Sequence, residues 1–323
     1  MSYLEDKTTI FVLGRDSELF ARGRQFRVKN ESETRSIPVV RVLDIVAHNS
    51  VKVGGSALSL AAENNIPIHY VNNRGDYYGT FSDGLGANIF LRKRQYEKRF
   101  DSRFSLAVAK NIVEGKRKNQ QWVLDSLADG LVLPEVEKVD SLQSLLGCEG
   151  KISAIYWDCF PKLVKNPDFE FRHRTKRPPL DEINALLSFG YVLLVNRITS
   201  LLLYVGLDPY LGFYHQDFYK RPALALDLME EWRPIAVDKF VLKLVNRREL
   251  KPGDFEREGA AVRLEAKARN MFIAKWYAEW SRREFYSDIC KTKATLAKFC
   301  EWQCRKFSKV ITGEFEKYEP FSF

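Results

Sequence analysis

Residues 79–88, GTFSDGLGAN, lead into residues 91–125, LRKRQYEKRFDSRFSLAVAKNIVEGKRKNQQWVLD, and the change of pattern at this junction decides the fold. Glycines at 79, 84 and 86 make a hinge, after which apolar positions recur at helical spacing up to Asp125. Upstream the pattern is different. TTIFVL, LFARG, QFRVKN, IPVVRVLDIVAH and IPIHYVNN, all within residues 8–73, are short runs that alternate or stay apolar, carry β-branched residues and end in polar turns. Gly54 and Gly55 open SALSLAAENN, a short helix that feeds the strand IPIHYV. The expected class is α+β in two domains: a β-rich domain over residues 1–85, then an all-α-helical domain over residues 86–323.

Within the helical part, Asp181 follows Pro178 and Pro179 as the cap of a long helix ending at Gly206. A second helix starts near Ala223, and Pro234 must end or kink it because proline has no N–H to donate. A third covers Ala266 to about Arg283, and the tail to Phe307 reads as helical. The run Ala185–Val205 is long enough to span a bilayer, but Asn196 and Arg197 lie near its middle. A central arginine costs roughly 2.5–3.5 kcal/mol on insertion, so the run reads as a buried helix of a soluble protein with no membrane partner.

Composition agrees. Of 323 residues 45% are hydrophobic and 13% aromatic, ample for a packed core. The N-terminus MSYLEDKTTI lacks the basic and apolar regions of a secretory signal. Five cysteines, at 148, 159, 290, 300 and 304, are odd in number and have no Cys-x-x-Cys pair, which argues against a disulfide framework and a zinc ribbon and fits reduced thiols in a cytoplasm. Cys300 and Cys304, four apart, read as core.

The net charge of +9 is unevenly placed: residues 1–85 hold ten basic and ten acidic residues, leaving 41 against 32 in residues 86–323. A neutral first part and a basic second part suit a protein whose helical domain meets a polyanion. Basic runs at Arg92–Arg94, Lys116–Lys118 and Arg172–Arg177 are interleaved with aromatic residues.

The richest chemistry lies between Asp181 and Pro234. His215 stands twelve residues ahead of Asp227, with Glu230 and Glu231 close behind. On a helical wheel Leu224, Leu226, Leu228, Met229 and Trp232 fill one arc, and the three acids crowd the other. Clustered carboxylates repel one another, and water, arginines or a bound cation relieve that repulsion. A histidine with acids suggests a metal site, and Glu149, in a short glycine-flanked turn 66 residues before His215, is the candidate for a third ligand.

NALLSFGYVLLVNRITSLLLYVGLDPYLGFYH (184–215) followed by RPALALDLMEEWRP (221–234) closely resembles the signature of the CRISPR-associated integrase family, the metal-dependent DNA nuclease of the spacer-acquisition machinery. The resemblance joins Asn184, the Gly206-Leu207-Asp208-Pro209 turn, Gly212-Phe213 before His215, the Leu-Asp-Leu-Met-Glu run and Arg233-Pro234, in the family's order and spacing. Gly147-Cys148-Glu149-Gly150, with Tyr156 and Trp157 following, matches the family's Gly-x-Glu-Gly and the helix after it.

The resemblance implies that Glu149, His215 and Glu230 hold one divalent cation, manganese or magnesium before zinc. Asp227 would be a catalytic neighbour that positions a ligand or handles a proton, and Glu231 the exposed neighbour. Many relatives carry Asp where this chain has Glu230. The implied reaction is displacement at a DNA phosphodiester, in which a 3′-hydroxyl of a captured fragment gives integration into a CRISPR repeat and water gives cleavage. Arg172, Arg174, Lys176, Arg177, Lys220 and Arg221 are the expected DNA contacts. The family also implies a homodimer formed through the β domains and a small ferredoxin-like partner protein. Two rival readings use the same residues: a repair nuclease for branched DNA, and a non-catalytic DNA binder. Past Arg283 no motif is recognised.

Overall fold

The structure is a computed structural model that describes residues 7–12, 16–71, 77–82, 88–127, 130–136 and 139–323. Gly84 and Gly86 of the expected hinge lie outside these residues. The chain forms two compact units, residues 1–90 with Ser200–Leu207, and residues 91–199 with 208–323.

The first unit contains two four-stranded sheets. One has the order β1 (Thr8–Val12), β5 (Val42–His48), β7 (Ile68–Val71), β8 (Tyr77–Phe81), with β1, β5 and β7 parallel and β8 antiparallel. Every residue of β5, VLDIVAH, is buried, as befits a strand flanked on both edges. The other sheet has the order β4 (Thr34–Pro38), β3 (Gln25–Lys29), β2 (Glu18–Arg22), β6 (Lys52–Val53). Ile10, Ile45 and Ile68 of the first sheet, Leu19 and Phe26 of the second, and Ala57, Leu60 and Ala61 of α1 (Gly55–Glu63) share one core. Strand-rich then helical is thus the observed order. His69 hydrogen-bonds to Ser200, which belongs to this unit through the chain's return at Ser200–Leu207.

The second unit is mainly helical. The periodic stretch after the hinge is two helices rather than one, α2 (Ile89–Phe100) and α3 (Ser102–Leu124). Asp101 divides them because its carboxylate caps α3, accepting from the amides of Arg103 at 3.0 Å and Phe104 at 3.1 Å. Next come α4 (Leu142–Cys159) and α5 (Glu182–Val205), the latter capped by Asp181, which accepts from the Asn184 amide at 2.7 Å. Among the described residues α5 is the one helix long and apolar enough to cross a membrane, and 67% of its most apolar window is buried in the protein.

After α6 (Ala223–Met229) the chain does not continue as one helix. Pro234 enters a π-helical turn, Arg233–Asp238, before α7 (Lys239–Asn246). α8 (Ala266–Ser281) and α9 (Leu296–Thr312) complete the unit. Two short antiparallel ribbons, β9 (Phe255–Glu258) with β10 (Ala261–Leu264) and β11 (Glu284–Ser287) with β12 (Thr292–Thr295), stand before and after α8. Strands of four residues leave too little alternation to be read from sequence. Cys300 and Cys304 of α9 are buried.

Candidate metal centre

Asp227, on α6, is fully buried and organises the loop that precedes it. Its carboxylate accepts from the amides of Phe213 at 2.5 Å, Tyr214 at 3.0 Å and His215 at 2.8 Å, and contacts His215 Nδ1 at 2.7 Å. Three successive amides can close on one carboxylate only if the chain comes very near α6. A Cβ at position 212 would lie 2.8 Å from Asp227 Oδ2 and 2.9 Å from the Ala223 backbone, which is why glycine stands there. With Nδ1 held, His215 turns Nε2 toward Glu230 Oε1, 3.8 Å away. A carboxylate that orients an imidazole from behind is the usual support of a metal-ligating histidine.

Glu149 is not in a turn. It lies inside α4, which a Ser141–Ser144 capping box starts and which continues through Gly147 and Gly150. Each interior glycine costs about 1 kcal/mol of helix propensity, and packing outweighs it: Leu145 shares a buried cluster with Ala109 and Val113 of α3. α4 therefore presents Glu149 to α3. There Lys116 places its ammonium between two acids, contacting Glu149 Oε1 and lying 2.8 Å from Glu230 Oε2. Ser153 also donates to Glu149, at 2.8 Å, and Arg233 lies 3.2 Å from Glu230 Oε1. Burial pushes the Glu230 carboxyl up, but Arg233, Lys116 and His215 more than offset it and bring its pKa down to about 2.

Two carboxylates that already share one cation, with an imidazole aimed at one of them, have the donor types that a hard divalent ion takes. Among the described residues no three His, Cys, Asp or Glu side chains stand together at ligand distance; Lys116 fills the gap.

Positive charge surrounds these acids. Arg174 donates to Asn184 Oδ1 at 2.7 Å and Ser188 Oγ at 3.1 Å, and its guanidinium lies over the rings of Trp157 and Tyr191. Arg233 also lies over the Tyr191 ring, 4.8 Å from its centre. Lys176 is exposed as a residue, yet partial burial of its ammonium and the charges of Arg233, Arg174 and Lys116 hold it below its ordinary pKa. Tyr191 and Tyr156 donate to the two oxygens of buried Asp238, at 2.5 Å and 2.8 Å. Of the other basic candidates, Arg172 is exposed and paired with Glu170 at 2.6 Å, and Arg177, Lys220 and Arg221 are exposed.

The family profile described as "CRISPR associated protein Cas1" matches residues 10–278. The chain belongs to the Cas1 family. The resemblance read from residues 147–234 is thereby confirmed over most of the sequence. "CRISPR-associated endonuclease Cas1 3" of Thermus thermophilus is 31% identical over 97% of this chain and 96% of its own length. A Cas1 protein from Thermotoga maritima superposes with a TM-score of 0.80 at 25% identity, covering 94% of this chain and 97% of that one. A casposase bound to integration product shares the fold, with a TM-score of 0.82 at 22% identity over 97% of this chain and 92% of that one.

One expectation drawn from the Cas1 resemblance is overturned. Glu231 is not the exposed neighbour of Glu230 but is fully buried. It turns away to the C-terminal segment, where Tyr318 donates to it at 2.8 Å and the Phe321 amide at 3.0 Å. Sequence reasoning also missed that Lys116 bridges the acids and that Arg233 flanks them. Lys116 was visible only as one of a basic run, and the Arg233-Pro234 motif gave position without partner.

Proposed function

We propose that this Cas1-family chain is a divalent-metal-dependent DNA endonuclease and integrase, which joins the 3′-hydroxyl ends of short captured duplexes to a CRISPR repeat by transesterification. The observation that carries this reading is the approach of Glu149 and Glu230 to a single cation, with His215 turned toward them by Asp227. Glu149, His215 and Glu230 would hold manganese or magnesium, which supplies charge offset at a phosphate oxygen and a lowered pKa for the attacking hydroxyl. Asp227 fixes the ring of His215 so that Nε2 is the nitrogen on offer. Arg233, Arg174 and Lys176 put positive charge where the phosphodiester gains negative charge. Tyr191 is engaged with Asp238, and burial raises its pKa well above the ordinary tyrosine value, so a covalent tyrosine nucleophile is disfavoured.

Support comes also from the Thermus relative, which is named an endonuclease, and from the integration product held by the casposase of the same fold. Arg172, Arg177, Lys220 and Arg221, exposed and basic, would follow the DNA backbone. We assign dimerisation to residues 1–85 and metal-dependent catalysis with DNA binding to residues 86–323, in a cytoplasmic homodimer that works with a small ferredoxin-like protein.

The test is strand transfer of a labelled short duplex with free 3′-hydroxyl ends into a supercoiled repeat-containing plasmid, with manganese and with or without the partner protein. Transfer by the wild type that is lost in His215→Ala is the expected result. Equal transfer by the variant would overturn the site. Metal-dependent cutting of branched DNA without transfer would replace integration by the repair reading.

A further inference from the structure

Lys116 makes an arrangement that the proposed reaction does not require. Its side chain is 12% exposed, and those of its two partners, Glu149 and Glu230, are 22% and 6% exposed. Buried charges cost free energy unless they are paired, and here the ammonium and the two carboxylates pair with one another. Arg233 already contacts the second oxygen of Glu230. The carboxylate pair is therefore neutralised by the chain itself. A divalent ion held by Glu149 and Glu230 would need the oxygens that Lys116 now touches, and two cations would then face each other across a small gap. Lysine has a flexible four-carbon stem and can withdraw without moving its helix.

We propose that Lys116 is the resident counter-ion of the carboxylate pair: its ammonium and the divalent ion compete for Glu149 and Glu230, and the displaced ammonium then contacts a DNA phosphate. The inference rests on the metal reading above. It makes ion binding and DNA binding mutually reinforcing, because the ion frees a charge that the acids otherwise hold.

Manganese titration of the full-length, DNA-free protein by calorimetry tests the first half. We expect saturable binding by the wild type, its loss in His215→Ala, and binding at least about tenfold tighter in Lys116→Met, while Lys116→Arg, which keeps a cation, stays near or below wild type. Saturable wild-type binding with unchanged or weaker affinity in Lys116→Met overturns the inference and leaves the metal reading standing. Absence of saturable wild-type binding, or full binding by His215→Ala, overturns both. The second half is read from the salt dependence of affinity for a short duplex. With manganese the log–log slope of Lys116→Met should be shallower than wild type by about one, and without manganese the two should be parallel. An equal loss in both conditions, or none in either, overturns the release of the ammonium to phosphate.

Discussion

Glu230 and Glu231 are neighbours in sequence with opposite electrostatic fates. Glu230 meets Lys116, Arg233 and His215, and its pKa falls to about 2; Glu231 is pushed up to about 7 by burial, against the hydrogen bonds of Tyr318, Gln303 and Phe321. The helical wheel placed both on one polar arc and could not separate them, because the separation comes from groups far away in the chain. That His215, Asp227, Glu230 and Glu149 come together in space was legible, because the order and spacing of the family motifs carry them. Lys116 was not, since nothing near it in sequence says which acids it will meet. Asp238 gives a residue-scale prediction. Burial raises its carboxyl from 3.8 to about 6 despite two tyrosine hydrogen bonds and the charges of Arg174 and Arg233. The folded chain thus holds this proton more tightly than the unfolded one, so the contribution to stability is complete below the unfolded pKa and disappears as pH rises through the folded one. Asp238→Asn removes that dependence. In urea unfolding, wild-type stability relative to the variant should fall by roughly 2.4 kcal/mol between about pH 4 and about pH 7; parallel profiles would count against it.

Among the elements, the least legible is the last, Tyr318–Phe323, which has no periodicity and no motif. Its partners are far upstream. Phe321 stacks on Trp232 with ring centres 4.7 Å apart, and Phe323 stacks on Trp122 at 4.8 Å. The side-chain amide of Asn119 donates to the carbonyls of Glu231 at 2.7 Å and Phe321 at 2.9 Å. Pro320 fits over Gly115, where a Cβ would come within 2.4 Å of the proline ring. The segment therefore packs against α3 beside Lys116 and against the chain just after Glu230. The long helices, by contrast, were readable: the one error of extent, the merging of α2 with α3, has a local cause in the cap at Asp101, and the break at Pro234 was expected. Removal of residues 318–323 should leave Glu231 buried without two of its donors and uncover two tryptophans. We expect a loss of roughly 3–5 kcal/mol or more in denaturant unfolding, and an unchanged midpoint would show the segment to be passive.

For the whole molecule, composition carried real information. The strand-rich first part is electrically balanced and the helical second part holds the basic excess, a division visible before any fold was drawn. DNA affinity of the full chain should consequently fall linearly in a log–log plot against salt. Lys220→Gln and Arg221→Gln should each reduce the slope by about one, whereas Lys52→Gln, in the balanced part, should not; equal effects at all three would mean that DNA is bound by general charge. What composition could not convey is how late the helical unit is completed. Phe321 reaches Glu231 across ninety residues. On the ribosome the carboxylates near position 230 emerge long before the aromatic segment that backs them. A chain that stops between the two would thus carry Glu149, His215 and Glu230 without the aromatic wall behind them.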